Sequence, residues 1–255
     1  MKILYCIIFF ILGLHMGSFF TVIGFRSPKG EDYVRGRSYC DNCHHMLSLL
    51  DMIPILSFLF LRGKCRYCKC KISPVSTYME LFTGLLFLLA FYIFGFSYDF
   101  GIALGIISLL IIISVSDITY YIIPDEILIF FSGYFLILLA LKEGVMGALF
   151  HVLSGLFLFG VMYMIMLIGD HVFKKETLGG GDIKLMFVFG LLLNPLLGVV
   201  SIFLGSFLAL PVSLILLLLK KEKLVPFGPF LMISLAFLFF TQIDTQMILG
   251  LLGLS

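Results

Sequence analysis

The chain has 255 residues, 61% of them hydrophobic and only 13% charged, with a mean hydropathy of +1.16. That balance excludes a soluble globular domain. The formal net charge of +2 gives no polyanion-binding character, and the basic residues sit beside apolar runs, where they set topology and meet anionic lipid rather than nucleic acid.

Apolar runs near 3–25, 76–96, 101–117, 124–141, 145–169, 183–199, 200–219 and 227–253 predict an all-α integral membrane protein of about eight transmembrane helices. Helices are required because the backbone has no water to bond inside lipid. The first run has a short basic start, like a secretory signal, but it is long enough to span and is followed by a strongly basic loop, so it reads as a retained helix. The predicted organisation is a first transmembrane helix over 1–25, a polar cysteine-rich domain over 26–75 and a transmembrane bundle over 76–255. The chain has no long linker, low-complexity tract or internal repeat.

Fifteen of the 17 Lys and Arg residues fall on one face if the spans alternate. Arg26, Lys29, Arg35, Arg37, Arg62, Lys64, Arg66, Lys69 and Lys71 lie between spans one and two. Lys174, Lys175 and Lys184 border the loop before span six, and Lys220, Lys221 and Lys223 follow span seven. The positive-inside rule makes that face cytosolic and the N-terminus external, in a plasma membrane.

Cys40-Asp41-Asn42-Cys43 and Cys65-Arg66-Tyr67-Cys68 form two CxxC pairs 21 residues apart. Two such turns present four thiolates, the tetrahedral set that suits a structural zinc ion. The loop is too short to build a core, so metal binding would supply its folding energy. A cytosolic location disfavours disulfides. His45 and Cys70 are competing ligands by position. The CxxCH reading at Cys40–His44 would need an external loop and would leave the second pair idle.

Ionisable residues in or beside spans are costly and are functional candidates by default. Asp117 closes span three and Asp182 opens span six, which puts both at the cytosolic face. Gly179, Gly180 and Gly181 precede Asp182, admit close approach of a peptide backbone and open unusual backbone angles. Two facing carboxylates would share one proton, one acting as base towards water and the other hydrogen-bonding a scissile carbonyl. A lone Asp before a helix is also an ordinary N-cap, which would explain Asp182 but not Asp117. Asp125 and Glu126, after Pro124, suit a helix start. Asp99, Glu143 and Asp244 read as solvated, and Asp170 and His171 lie at the cytosolic edge. Lys184 either tunes the pair or reaches lipid headgroups.

Taken together, these segments resemble the prepilin leader peptidases, polytopic aspartyl proteases of the GxGD type. GGGDIKL resembles the GxGDxK box, and SDITYYIIPDEI the segment carrying the first catalytic aspartate. The run DMIPILSFLFLRGKCRYCKCKISPVSTYMEL is similar to the family's cytosolic domain, and PFGPFL at 226–231 resembles a motif before its last helix. The resemblance implies cleavage of a short basic leader from prepilins or pseudopilins on the cytosolic side, with Asp117 and Asp182 catalytic. It also implies, for many members, N-methylation with S-adenosylmethionine, and it marks Glu80 as a family glutamate. Thr21 stands where the motif GSFLNVxxxRxP has asparagine, and this variation looks more like the Gram-positive competence branch. Two other readings compete: a proton-coupled transporter using Asp117 and Asp182, and a membrane anchor whose zinc loop binds a partner.

Overall fold

The computed structural model describes residues 1–40, 42–175, 177–219, 225–243 and 245–251. Asp41, Lys220, Lys221, Lys223 and Asp244, named above, lie outside them. The described chain is helical, with α1 (Lys2–Arg26), α2 (Leu56–Phe60), α3 (Val75–Phe94), α4 (Tyr98–Tyr120), α5 (Asp125–Phe173), α6 (Gly180–Leu192), α7 (Pro195–Leu218), α8 (Gly228–Thr241) and α9 (Thr245–Leu251). Short 3-10 turns occur at Ser27–Lys29 and Leu49–Met52.

Among the described residues, five helices are long and apolar enough to cross a membrane: α1, extended by its 3-10 turn, with α3, α4, α5 and α7. α5 covers the predicted spans four and five and is interrupted at Gly144, whose φ of 78° and ψ of 172° are non-helical. Glycine tolerates that conformation because no Cβ meets the following carbonyl. The break leaves segments 125–143 and 145–173, the shorter about 28 Å long, close to the ~30 Å of a bilayer core.

The predicted boundary between spans six and seven is corrected. It falls at Asn194-Pro195, not at 199, because the Asn194 side chain accepts the Leu197 N–H at 2.9 Å and Pro195 occupies the first turn of α7. α6 is thereby limited to 13 residues, about 20 Å, which is shorter than the hydrocarbon core.

The chain divides into two compact units, Met1–Phe96 and Ser97–Ser255. In the first, α1 packs along α3. Gly17 makes the approach possible, since a Cβ there would fall 2.9 Å from the Glu80 Cα and 2.8 Å from the Thr83 hydroxyl. Thr21 is buried, and its hydroxyl donates to the Gly17 carbonyl at 2.7 Å.

In the second unit α4 is the central helix, buried almost continuously from Ile102 to Asp117. It packs against α5 and α8; α5 also packs on α6, and α7 on α8. Small residues allow these approaches, as expected where lipid removes the hydrophobic drive between helices. Ser234 of α8 donates to the Ser201 carbonyl of α7 at 2.8 Å. Ser154 of α5 donates to the Leu193 carbonyl at 3.0 Å, holding the end of α6.

Candidate catalytic and metal sites

α4 ends in a left-handed residue, Tyr121 (φ 57°, ψ 35°), whose N–H returns to the Asp117 carbonyl at 2.9 Å. The reversal is closed by the Ser116 hydroxyl, which donates to the Ile122 carbonyl. Pro124 then starts α5. Asp117 thus stands in the last turn of a buried helix, with 6% of its surface exposed.

α6 supplies the second carboxylate. Its N-cap is Gly179, and the Asp182 N–H bonds the Gly179 carbonyl at 3.1 Å. Asp182 is therefore three residues into the helix and caps nothing, which removes the N-cap reading. Its Oδ1 is buried and, among the described residues, has no hydrogen-bond partner. A buried carboxylate oxygen left unpaired is costly, and such costs persist at functional sites.

Both aspartates line one cavity of about 420 Å³, together with Tyr121, Ile123, Gly179, Gly180 and Gly181. Charge topology predicted a common membrane face for the two residues; the cavity brings their side chains to one space.

The glycines act differently from the sequence expectation. Among the described residues the glycines with positive φ are Gly30, Gly63, Gly95 and Gly144, so the run before Asp182 uses no left-handed conformation. Its contribution is steric. A Cβ on Gly181 would lie 2.8 Å from the Ile123 Cβ, and one on Gly179 would lie 3.2 Å from the Asp182 Oδ2. A Cβ on Gly180 would meet nothing within 4 Å.

Gly228, the first residue of α8, was not singled out from sequence beyond the PFGPFL motif. Its N–H donates to the Asp117 Oδ2 at 2.9 Å. A Cβ at this position would lie 3.0 Å from that oxygen and 3.0 Å from the Ile113 Cγ2. A helix N-terminus thus bonds one catalytic candidate directly.

Asp125 opens α5, as its helix-start chemistry predicts. It also lines the cavity and forms an ion pair with Lys184, with Nζ–Oδ distances of 2.7 and 2.8 Å. Both side chains are more than half exposed. Lys184 therefore ties the start of α6 to the start of α5 at the cavity rim. The loop before α6 is tied down as well, since the Asp170 Oδ1 accepts both the Thr177 N–H and the Thr177 hydroxyl at 2.8 Å. Asp99 and Glu143, read as solvated, pair with Lys142 at 2.6 Å and with His151 at 3.1 Å respectively.

In the first unit the cysteine pairs form matched knuckles. The Cys40 N–H bonds the His45 carbonyl at 3.0 Å, and the His44 N–H bonds the Cys40 carbonyl at 2.8 Å. The second knuckle repeats this, with the Cys65 N–H on the Cys70 carbonyl at 2.9 Å and the Lys69 N–H on the Cys65 carbonyl at 3.1 Å. His44 and Lys69 share a left-handed φ of 54° and 59°, and bridges Tyr39–Met46 and Lys64–Lys71 flank the turns. This likeness is confined to two short turns and is not a repeat of sequence. The residues between the cysteines differ, and the likeness lies in backbone hydrogen bonds.

The ligand atoms of Cys40, Cys43, Cys65 and Cys68 all lie within 4.8 Å of one another, and the Cys40–Cys68 Sγ separation is 3.8 Å. A tetrahedron with Zn–S bonds of about 2.3 Å has edges of about 3.8 Å, so the four sulfurs fit one metal ion. The N–H groups of Cys43 and Asn42 hold the Cys40 thiol below its ordinary range. The Cys70 N–H, followed by its thiol, draws Cys68 down to about 6. Against the His45 N–H, burial and the Cys68, Cys40 and Cys65 thiols push Cys43 up to about 11, so the metal-free set is not uniformly ionised, and thiolates are the form a metal requires. Cys70 stays close, 3.7 Å from the Cys40 Sγ, whereas the His45 ring lies on Tyr67 with centroids 3.6 Å apart. Arg66 braces the second knuckle through a 2.6 Å ion pair with the buried Asp51 side chain.

Glu80 is buried in α3 and accepts the Ile55 N–H at 2.8 Å. It belongs structurally to the turn that leads into the second knuckle.

Residues 11–94 match the family described as Bacterial Peptidase A24 N-terminal domain, and residues 104–214 match the Type IV leader peptidase family. Asp117 and Asp182 fall in the second region, and Glu80 and the four cysteines in the first. The chain is 38% identical over 189 residues to the prepilin leader peptidase/N-methyltransferase of Bacillus subtilis, covering 73% of each chain. It is 30% identical over 261 residues to the protein of that name from Vibrio cholerae, covering 94% of this chain and 98% of the relative. The match to the Myxococcus xanthus protein of that name is 36% over 204 residues and spans 77% of this chain but 59% of the relative's length. No solved structure matches the chain.

Proposed function

The chain belongs to the type IV leader peptidase family, and we propose that Asp117 and Asp182 are its catalytic pair, cutting the short basic leader from prepilins or pseudopilins. The observation that carries this reading is the convergence of two helix-end aspartates on one glycine-edged cavity. Two carboxylates in a confined, poorly solvated space hold one proton between them at least cost. The ionised member takes a proton from water as the water oxygen bonds the scissile carbonyl carbon. The protonated member hydrogen-bonds the carbonyl oxygen, and the proton abstracted from water passes to the leaving amine as the C–N bond breaks. The titration belongs to the pair, and neither role is assigned to one residue. Space beside Gly180 supports entry of an extended peptide backbone.

The glycine edge yields a paired expectation. Gly181→Ala drives a Cβ into the β-branched Ile123, and cleavage falls at least about tenfold, since misplacing a catalytic group by 1 Å costs about 10²-fold. Gly180→Ala retains near-normal rates. Initial rates on a pilin-like precursor distinguish them, and thermal denaturation checks folding; equal loss in both would contradict the steric account.

Gly228→Ala presses directly on the Asp117 carboxylate. The expected result is a fall in kcat on the order of 10²-fold, with KM little changed because the substituted atom faces the carboxylate. A rise in KM with kcat intact would place Gly228 in substrate binding instead.

Around this centre, the eight-span arrangement is supported by the eight apolar runs of the sequence and by the break of α5 at Gly144, although α6 and α8 hold only 13 and 14 residues. The N-terminus outside, with the cysteine loop and aspartates cytosolic, is supported by the distribution of basic residues. On this reading the chain is a first helix, a cysteine-rich domain over 26–75 and a peptidase bundle over 76–255. The four sulfurs favour zinc by softness and geometry. N-methylation with S-adenosylmethionine is favoured by the relatives' names, while Thr21 replaces the motif's asparagine and is spent on a bond within its own helix. The transporter reading receives no support from the family matches.

A mass spectrum of the processed precursor's N-terminus tests both activities. Loss of the leader is expected, and a methyl group on the new terminus reports the second reaction. An intact precursor in the presence of folded protein would sink the peptidase reading.

A further inference from the structure

Residues 49–60, between the two knuckles, carry five strongly exposed apolar side chains: Leu49, Leu50, Leu56, Leu59 and Phe60, with Leu49 at 82% and Phe60 at 83%. In water so many exposed apolar side chains within one short segment are a liability, and exposed apolar surface marks interaction sites. One bond ties it to α3.

The Ile55 N–H is held by the Glu80 carboxylate of α3 at 2.8 Å. Ile55 itself has φ 61° and ψ −51°, and the Leu56 N–H closes back on the Pro54 carbonyl at 2.6 Å. This γ-turn is rare, and a β-branched residue at positive φ is costly. Such strain persists only where surrounding contacts over-determine it. The buried glutamate supplies that contact and pins the segment to α3.

α3 has 20 residues, about 30 Å, the thickness of the hydrocarbon core with no slack. Glu80 is five residues past its start, about 8 Å along the axis. Around that height α3 already presents exposed Tyr78, Leu81 and Phe82, the surface a spanning helix turns to lipid. A segment bonded there cannot stand clear of the bilayer. Exposed Arg62 and Lys64 lie two and four residues past Phe60, a pattern of apolar residues beside cations that suits the headgroup boundary.

We propose that residues 49–60 form an interfacial membrane anchor, with Leu56, Leu59 and Phe60 in the acyl-chain boundary and Arg62 and Lys64 on anionic headgroups. The anchor holds the second cysteine knuckle, which begins at Cys65, against the membrane surface. This inference goes beyond the peptidase reading and stands or falls without it.

The chain contains no tryptophan, so Phe60→Trp in the full chain is a single-tryptophan reporter at an exposed position. In vesicles of phosphatidylethanolamine and phosphatidylglycerol, its emission is expected to be blue-shifted and quenched by lipids brominated near the headgroup end of the acyl chain. Acrylamide quenching is expected to be weak. Tyr78→Trp on α3 gives the lipid-facing reference, and Leu50→Trp provides a second reporter should Phe60→Trp fold poorly. Strong acrylamide quenching without bromolipid quenching overturns the proposal. So does emission protected only on addition of a precursor, since that means a protein occupant. Unchanged quenching in purely zwitterionic vesicles overturns the role given to Arg62 and Lys64.

Discussion

Asp117→Asn and Asp182→Asn each reduce precursor cleavage by at least about 10²- to 10⁴-fold, the range supplied by a positioned acid or base. Both substitutions are nearly isosteric, so the cavity survives. In the first variant the new side-chain amide keeps a carbonyl oxygen for the Gly228 N–H that now bonds the Asp117 Oδ2. At position 182 the substitution removes a carboxylate whose Oδ1 has no partner among the described residues, so the variant should fold at least as well. Loss of activity without loss of thermal stability is therefore the expected signature. The double variant should be hardly worse than either single one, because two groups acting as a unit are not additive. Precursor and mature forms separated by mass suffice as readout; normal cleavage by either variant would dismiss the pair.

Cys65→Ser and Cys40→Ser are expected to lower bound zinc from about one ion per chain to a small fraction of that. Cys65 is 1% exposed and Cys40 8%, so these sulfurs form the inner side of the cluster, and a hydroxyl replaces a soft thiolate with a poor ligand. Structural zinc in small modules is worth roughly 10–16 kcal/mol, which is folding energy that a loop of this size cannot recover elsewhere. Limited proteolysis within 26–75 should accelerate along with metal loss. Elemental analysis of the purified chain settles the matter, and an intact, protease-resistant, metal-free loop would remove the zinc site. The Cys70→Ser variant supplies the internal comparison, because Cys70 is near Cys40 yet outside the mutually close set of four.

Much of the site was legible because membranes make certain residues conspicuous. An aspartate at the end of an apolar run is costly enough to stand out alone, and three glycines beside a second one mark a close approach. Two CxxC pairs carry their metal geometry in their spacing. What could not be read was everything set by residues far apart in the chain. The Gly228 donor reaches Asp117 from 111 positions away, and nothing about a Phe-Gly-Pro tripeptide states which side chain its amide will meet. Asp125 satisfied helix-start chemistry so well that its place on the cavity rim left no trace.

The amino-acid sequence by itself determined the class of the protein, its apolar helical runs, the two aspartates at the ends of such runs, and the four-cysteine set. Each follows from local apolar length, local charge or local spacing, and therefore needs no knowledge of packing. Only the tertiary structure decided that Asp182 caps nothing, that Gly181 works by excluding a Cβ from Ile123 rather than by an unusual φ, and that α8 bonds Asp117. It also decided that Glu80 fastens a strained turn. Those depend on which helices touch and at what height, a matter of three-dimensional close packing between distant segments that no local pattern encodes.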